Sequence, residues 1–241
     1  MSYQAIYYDH KKHEYHLRDQ TNGWSTFKYS PTYYVEHSEG EYQTLDGKSV
    51  YPVEKMKDWT DVKYYEKDVQ KNTRLLVDAY FETDEISTNH NIAVLDIETE
   101  ILGALTPEFI KQAIAKITSL TIHDKTSDKY YVLVLDVKNQ LKNKIEDNKE
   151  IRVFTTESLL LKDFLQLWEI LDPTIIIGWN SGYFDIPYLY YRIRNILGDE
   201  DVLRLSPIGK ISISEYNLDN PITLGGINHL DYMLLFKKYA Q

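Results

Sequence analysis

Two carboxylates, Asp96 and Glu98, stand at the end of the apolar run Ile92-Ala93-Val94-Leu95. A run of this length between polar Asn91 and Asp96 predicts a strand buried on both faces, because alternation disappears when neither face meets water. Side chains alternate across a strand, so both acids leave from one face, with Cα atoms about 6.6 Å apart, while Ile97 turns into the core. Two acids crowded at a buried strand end repel each other and lose hydration unless cations neutralise them. All-oxygen ligands of this kind suit Mg²⁺ or Mn²⁺. The plainer alternative is a strand end with two solvated acids, and Asp-x-Glu alone does not separate the two.

A second constellation follows another apolar run, residues 174–177. It reads Gly178-Trp179-Asn180-Ser181-Gly182-Tyr183-Phe184-Asp185-Ile186-Pro187-Tyr188-Leu189. Gly178 and Gly182 permit a tight loop with close backbone approach. Pro187 suits the first turn of a helix running to Arg194 or Leu197. Asp185 then falls at that helix start, where the helix dipole favours the ionised carboxylate. Ligands of α/β sheets collect beyond the carboxyl ends of strands, and both constellations follow buried strands there. The expectation is that Asp96, Glu98 and Asp185 converge on one site. The bland alternative for Asp185 is an ordinary helix-stabilising acid.

The elements that must position these groups follow from the rest of the chain. Residues 3–8, 14–18, 24–29 and 32–37 are short, Tyr-rich runs broken by turn residues, which predicts an antiparallel meander. His10, His13 and His16 lie three apart across a turn. That spacing alternates faces in a strand, so a solvated turn is expected there and not a metal site. Met56, Trp59, Val62 and Tyr65 (or Lys63) recur at offsets near three, which predicts helical character over 53–74, and residues 75–81 read as a strand. The polar, acidic segment 83–91 marks a boundary, with a first domain at 1–88 and a second at 89–241. Beyond the strand at 92–97, Pro107 opens a helix over 108–116. Residues 117–123 and 130–137 form a hairpin, 138–150 a solvated excursion and 151–154 a strand. Thr156 caps a helix over 157–171 that carries Leu160, Phe164, Leu167, Trp168 and Leu171 on one stripe, with Pro173 just past its end. The sum is a mixed α/β sheet.

Composition limits the function classes. With 241 residues and 43% hydrophobic composition, the chain can bury one large core or two modest ones. No apolar run approaches the ~20 residues of a membrane span, so no membrane partner is expected. The opening MSYQAIYYDHKK lacks the apolar core of a signal peptide, which makes a cytoplasmic setting the default. There is no cysteine, which leaves oxygen and imidazole ligands. The net charge is −10, with 11 basic and 16 acidic residues before His90 and 16 and 21 from it onward. Each part is thus −5, and neither hides the basic stripe of a duplex-binding module. Nucleic acid is expected to be held locally, through metal ions, or mainly by other parts.

The segment Ala93-Val94-Leu95-Asp96-Ile97-Glu98-Thr99 resembles the first motif of the 3′→5′ proofreading exonuclease in family B DNA polymerases. Gly178-Trp179-Asn180-x-x-x-Phe184-Asp185-x-Pro187-Tyr188 resembles the second. Leu205-Ser206-Pro207-Ile208-Gly209-Lys210 and Leu230-Asp231-Tyr232-x-x-x-Phe236-Lys237-Lys238-Tyr239 are similar to replicative polymerases of T-even-type bacteriophages. Lys28-Tyr29-Ser30-Pro31 and Leu45-Asp46-Gly47-Lys48 are similar to their N-terminal domain. The resemblance implies a ribonuclease-H-like α/β exonuclease domain over residues ~89–241, after a smaller β-rich N-terminal polymerase domain. It also implies hydrolysis with two Mg²⁺ (or Mn²⁺) ions per complete site, about 3.5–4 Å apart. By that analogy Asp96 bridges both metals, Glu98 supports the one that carries the attacking water, and Asp185 serves the other. Asn180 and Phe184 help seat the 3′ end of single-stranded DNA from a primer-template. Such a site needs little basic surface, because bases stack on aromatic rings.

The family's third motif, a Tyr followed four residues later by Asp, does not occur after Asp185. Asp231 is a nominal substitute, although its stretch resembles a structural strand-to-helix junction. The resemblance therefore implies an N-terminal polymerase fragment whose palm, fingers and thumb are supplied in cis or by a separate chain. Its hydrolysis is expected to be impaired. The competing class is a non-catalytic ribonuclease-H-like module that holds nucleic acid or a protein partner; a free-standing exonuclease of the same fold is a third.

Overall fold

Aromatic and β-branched runs draw the start of the chain into strands, with alternating burial in Glu14–Asp19, and side chains of aspartate close the turns between them. The computed structural model describes residues 2–54, 56, 62–83 and 86–240. The chain divides into two units, Met1–Thr88 and Asn89–Gln241. In the first, β1 (Tyr3–Asp9), β2 (Glu14–Asp19) and β3 (Gly23–Phe27) form an antiparallel sheet. Asp9 Oδ1 accepts from the N–H groups of Lys11 and Lys12, and Asp19 Oδ1 from those of Thr21 and Asn22. The expected fourth strand of this meander, β4 (Tyr33–Glu36), instead joins β5 (Tyr42–Gln43), β6 (Ser49–Val53) and β7 (Tyr64–Tyr65) in a separate sheet.

Two further expectations fail in this unit, one of them in part. The strand expected at 75–81 belongs to helix α1 (Lys71–Tyr80). Leu75, Leu76 and Tyr80 fall on one side at helical spacing and pack with Tyr15 and Leu17, while Val77 is exposed. Of the helical character expected over 53–74, only residues 71–74 are helical, in the first turn of α1; Val53 ends β6 and Tyr65 ends β7. Trp59, on which that reading leaned, lies outside the described residues. His10 and His13 both lie against Tyr8, whereas His16 meets Thr26 on β3.

The second unit runs β8 (Ile92–Thr99), α2 (Pro107–Gln112), β9 (Ile117–Asp124), β10 (Lys129–Leu135), β11 (Lys144–Glu146), β12 (Lys149–Phe154), α3 (Glu157–Leu171), β13 (Ile175–Gly178) and α4 (Asp185–Leu197). It closes with α5 (Asp199–Val202), β14 (Ile211–Ile213), β15 (Ile222–Leu224), β16 (Asn228–Asp231) and α6 (Tyr232–Tyr239). Seven strands form one mixed sheet in the order β11-β12-β10-β9-β8-β13-β16. Strand β9 is antiparallel to β8 and β10, whereas β13 is parallel to both β8 and β16. The excursion at 138–150 thus contributes an edge strand, β11, paired with β12. Helix α2 stops short of the expected residue 116 because Ala113 turns to φ +42°.

Strands β8 and β13 are not buried on both faces. Ala93, Leu95, Ile97 and Ile176 are buried, while Ile92, Val94, Ile175 and Ile177 are only half-buried. One face carries the core, with α3 packed against β9, β10 and β12, and α4 against β8. Thr156 caps α3 by accepting from the Leu159 N–H, and Asp172 in the left-handed region ends it. Between the two helices lies a buried ion pair. Arg192 Nη2 meets Glu157 Oε2 at 2.5 Å, Arg192 Nη1 donates to the carbonyls of Ala113 and Ile114, and Glu157 Oε1 accepts from the Ile117 N–H. Tyr188 donates to the Ala115 carbonyl at 2.6 Å. These bonds fix α4, and with it the Asp185 at its first turn, against α3 and the loop before β9.

Candidate active site

Asp96 and Glu98 alternate with buried Ile97 near the end of β8, and both are exposed. They face the same way, opposite Thr121 and Ser119 of β9. Strand β13 pairs with β8 only as far as Ile177↔Val94. Beyond that point the Ile97 N–H has no strand to meet, and Asp185 Oδ1 accepts it at 3.0 Å. The carboxylate from α4 thus stands where the next residue of a neighbouring strand would be.

Asp185 is 4% exposed. Burial pushes its pKa up to about 7; the Ile97 N–H opposes the rise, and the negative charges of Asp96 and Asp231 add to it. The dipole argument for an ionised Asp185 is therefore outweighed by desolvation. Asp96 and Asp185 are brought together closely enough for their charges to repel. Glu98 lies farther along the same face of β8. Among the described residues no three His, Cys, Asp or Glu side chains are grouped to hold a metal ion. The donor set nonetheless suits a hard divalent cation: it is all oxygen, and its one buried member is poorly solvated and beside another acid.

The loop from β13 to α4 is held tightly. Asn180 has φ +57°, and its carbonyl accepts from the N–H groups of Tyr183 and Phe184. The Ser181 carbonyl accepts from the Ile186 N–H, and Ser181 Oγ lies 2.8 Å from His229 Nε2. Burial lowers the His229 pKa. A Cβ on Gly178 would stand 2.5 Å from Ser181 Cβ, and one on Gly182 2.7 Å from the Asp219 carbonyl. Both glycines are therefore demanded by close approach, as expected. Phe184 is half-buried, with its ring 5.4 Å from that of Tyr188.

Two features escaped the sequence reading. Trp179 is 56% exposed and sits against Tyr232 and Phe236 of α6. Asp231, nominated as a spare metal ligand but expected at a strand-to-helix junction, does lie at one, and it accepts four backbone N–H bonds: Asn180, Met233 and Leu234 at Oδ1, and Gly182 at Oδ2. Its place before the apolar Tyr232–Tyr239 run is an N-cap signature that was available from the start.

Residues 43–241 match the model of the DNA polymerase family B exonuclease domain. The chain belongs to that family. Among individual relatives, it is 33% identical over 192 residues to the DNA-directed DNA polymerase of Escherichia phage RB69, covering 68% of this chain and 21% of the relative. It is 30% identical over 174 residues to that of Enterobacteria phage T4, covering 62% and 19% respectively. A DNA polymerase of Trichoplusia ni ascovirus 2c is 31% identical over 153 residues, or 59% of this chain and 15% of the relative. The chain thus spans about a fifth of the length of the two phage polymerases. No helix among the described residues is long and apolar enough to cross a membrane.

Proposed function

We propose that this chain is the N-terminal and 3′→5′ exonuclease region of a DNA-directed DNA polymerase, with a β-rich domain at 1–88 and a ribonuclease-H-like domain at 89–241. Its reaction is hydrolysis of the 3′-terminal phosphodiester of single-stranded DNA, the proofreading step, carried out in the cytoplasm of a host cell. The observation that carries this reading is the placement of Asp185 on the Ile97 N–H beside Asp96, within a segment matched by the family's exonuclease model. Asp96, Glu98 and Asp185 are the residues that would hold Mg²⁺ or Mn²⁺. Such ions, when bound, neutralise the scissile phosphate and acidify the attacking water.

The chain's own residues do the remaining work in this reading. Asp185, buried and fixed by the Ile97 N–H, is the rigid member of the set. Asp96 and Glu98, exposed on β8, turn toward an arriving ion. Asn180 and Phe184 line the approach from the β13–α4 loop and position the terminal nucleotides. Three carboxylates bring −3 against +4 from two ions, so hydrolysis by this chain alone is expected to be slow. The decisive assay is Mg²⁺-dependent hydrolysis of a labelled oligonucleotide, with Asp96→Ala as the blank. Activity lost in Asp96→Ala supports the reading, and cleavage that survives it refutes it.

The second reading, a non-catalytic binding module of the same fold, is favoured by the absence of a three-acid group among the described residues. It predicts binding of single-stranded DNA that is indifferent to Asp96→Ala and to Mg²⁺. The palm, fingers and thumb, in cis or on a separate chain, are the partners the first reading requires.

A further inference from the structure

We infer that Asp231 is a positioning residue: its carboxylate latches the Asn180–Gly182 loop and thereby sets Asp185 on the edge of β8. The observations form one continuous path. Asp231 is 7% exposed, ends β16 and lies directly opposite Gly178, the last residue of β13. Its oxygens accept from the Asn180 N–H at 3.1 Å and the Gly182 N–H at 3.0 Å. The Asn180 carbonyl accepts in turn from Tyr183 and Phe184, and the Ser181 carbonyl, which shares its peptide plane with the Gly182 N–H, accepts from Ile186. Asp185 lies between the last two, and its own carboxylate accepts from Ile97. The path therefore runs from β16 through the loop to β8, crossing β13 where that strand stops pairing.

Steric contacts reinforce the latch. Gly182 approaches Asp231 so closely that an added Cβ would stand 3.3 Å from Oδ2 and 2.7 Å from the Asp219 carbonyl. A carboxylate saturated with four N–H donors is a poor candidate for a metal ligand, because its lone pairs are already directed at backbone. A carboxylate is also what the geometry demands: it is acceptor-only at both oxygens, and the amide donors stand at both.

The test uses Asp231→Asn. Asparagine caps a helix about as well as aspartate, so the α6 bonds survive, but its amide NH₂ must face one set of N–H donors. Hydrogen exchange is measured residue by residue, without metal or DNA. The expected result is at least tenfold faster exchange of the Ile97 amide, with Leu120 and Leu133 in the same sheet unchanged. Gly182→Ala, which presses on the latch from the other side while keeping every carboxylate, is expected to reproduce it. Unchanged Ile97 exchange in both variants overturns the inference. So does rapid exchange of the Asn180 and Gly182 amides in the unaltered protein, a result that needs no variant to fold. The consequence for catalysis rests on the exonuclease reading: turnover in Asp231→Asn should fall at least tenfold, with the oligonucleotide KM changed less than twofold. If cleavage survives Asp96→Ala, the exonuclease reading fails while the exchange data still decide the latch.

Discussion

Replacing Asp185 by asparagine should stabilise the protein, and the gain should depend on pH and on metal. The carboxyl is buried and its pKa stands near 7 in the folded chain, against 3.8 as its ordinary value. Its folded pKa is raised, so the unfolded chain releases this proton at lower pH than the folded one. Between about pH 4 and pH 7 stability is lost as pH rises. A displacement of roughly three units at 1.36 kcal/mol each amounts to about 4 kcal/mol above pH 7.5, falling to about 1 kcal/mol near pH 4.5. Asparagine keeps an oxygen for the Ile97 N–H and never carries the charge. For a unit of this size, about 4 kcal/mol corresponds to a rise in Tm on the order of 10 °C. The assay is thermal melting of both proteins in chelator at pH 4.5 and pH 8, then at pH 8 with Mn²⁺. Unaltered protein should recover stability with Mn²⁺, and the asparagine variant should not. Equal melting temperatures at pH 8 in chelator, or a gain that is the same at both pH values, would refute the reasoning.

Two further outcomes follow from the packing. Arg192→Met should cost about 3–5 kcal/mol, because it leaves Glu157 buried and unpaired and abandons the carbonyls of Ala113 and Ile114. Denaturant unfolding reads that loss directly. Gly178→Ala should cost about 1–3 kcal/mol through its collision with Ser181, and Mn²⁺ affinity measured by titration should fall with it.

Where local chemistry decides structure, the residues announced it. Thr156 and Pro173 bracket α3, and the β-branched runs on either side of the turn at 124–129 become β9 and β10. Where partners distant in sequence decide, they did not. Leu75-Leu76-Val77 reads as strand until Tyr15 and Leu17 select the helical face that contains Leu75 and Leu76. The runs at 92–95 and 174–177 read as buried on both faces, yet half of each lies on the more open side of the sheet. Asp96, Glu98 and Asp185 were visible by type and spacing. That Asp185 would be buried, and that Asp231 would feed four backbone amides, depends on β13 and β16 lying side by side.

The bond between Asp185 and the Ile97 N–H bears on how inactive controls are chosen for proteins of this kind. The carboxylate is also a plug in the sheet, filling the slot that β13 vacates after Ile177. Alanine at 185 would remove the ligand and open that slot together, leaving a buried donor unsatisfied at a cost of about 1–3 kcal/mol. A lost activity would then report a frayed strand as readily as a missing acid. Asp96 is exposed, so truncation there removes a charge without emptying a slot in the sheet. At 185 the cleaner control is asparagine, a dead side chain that still closes the sheet.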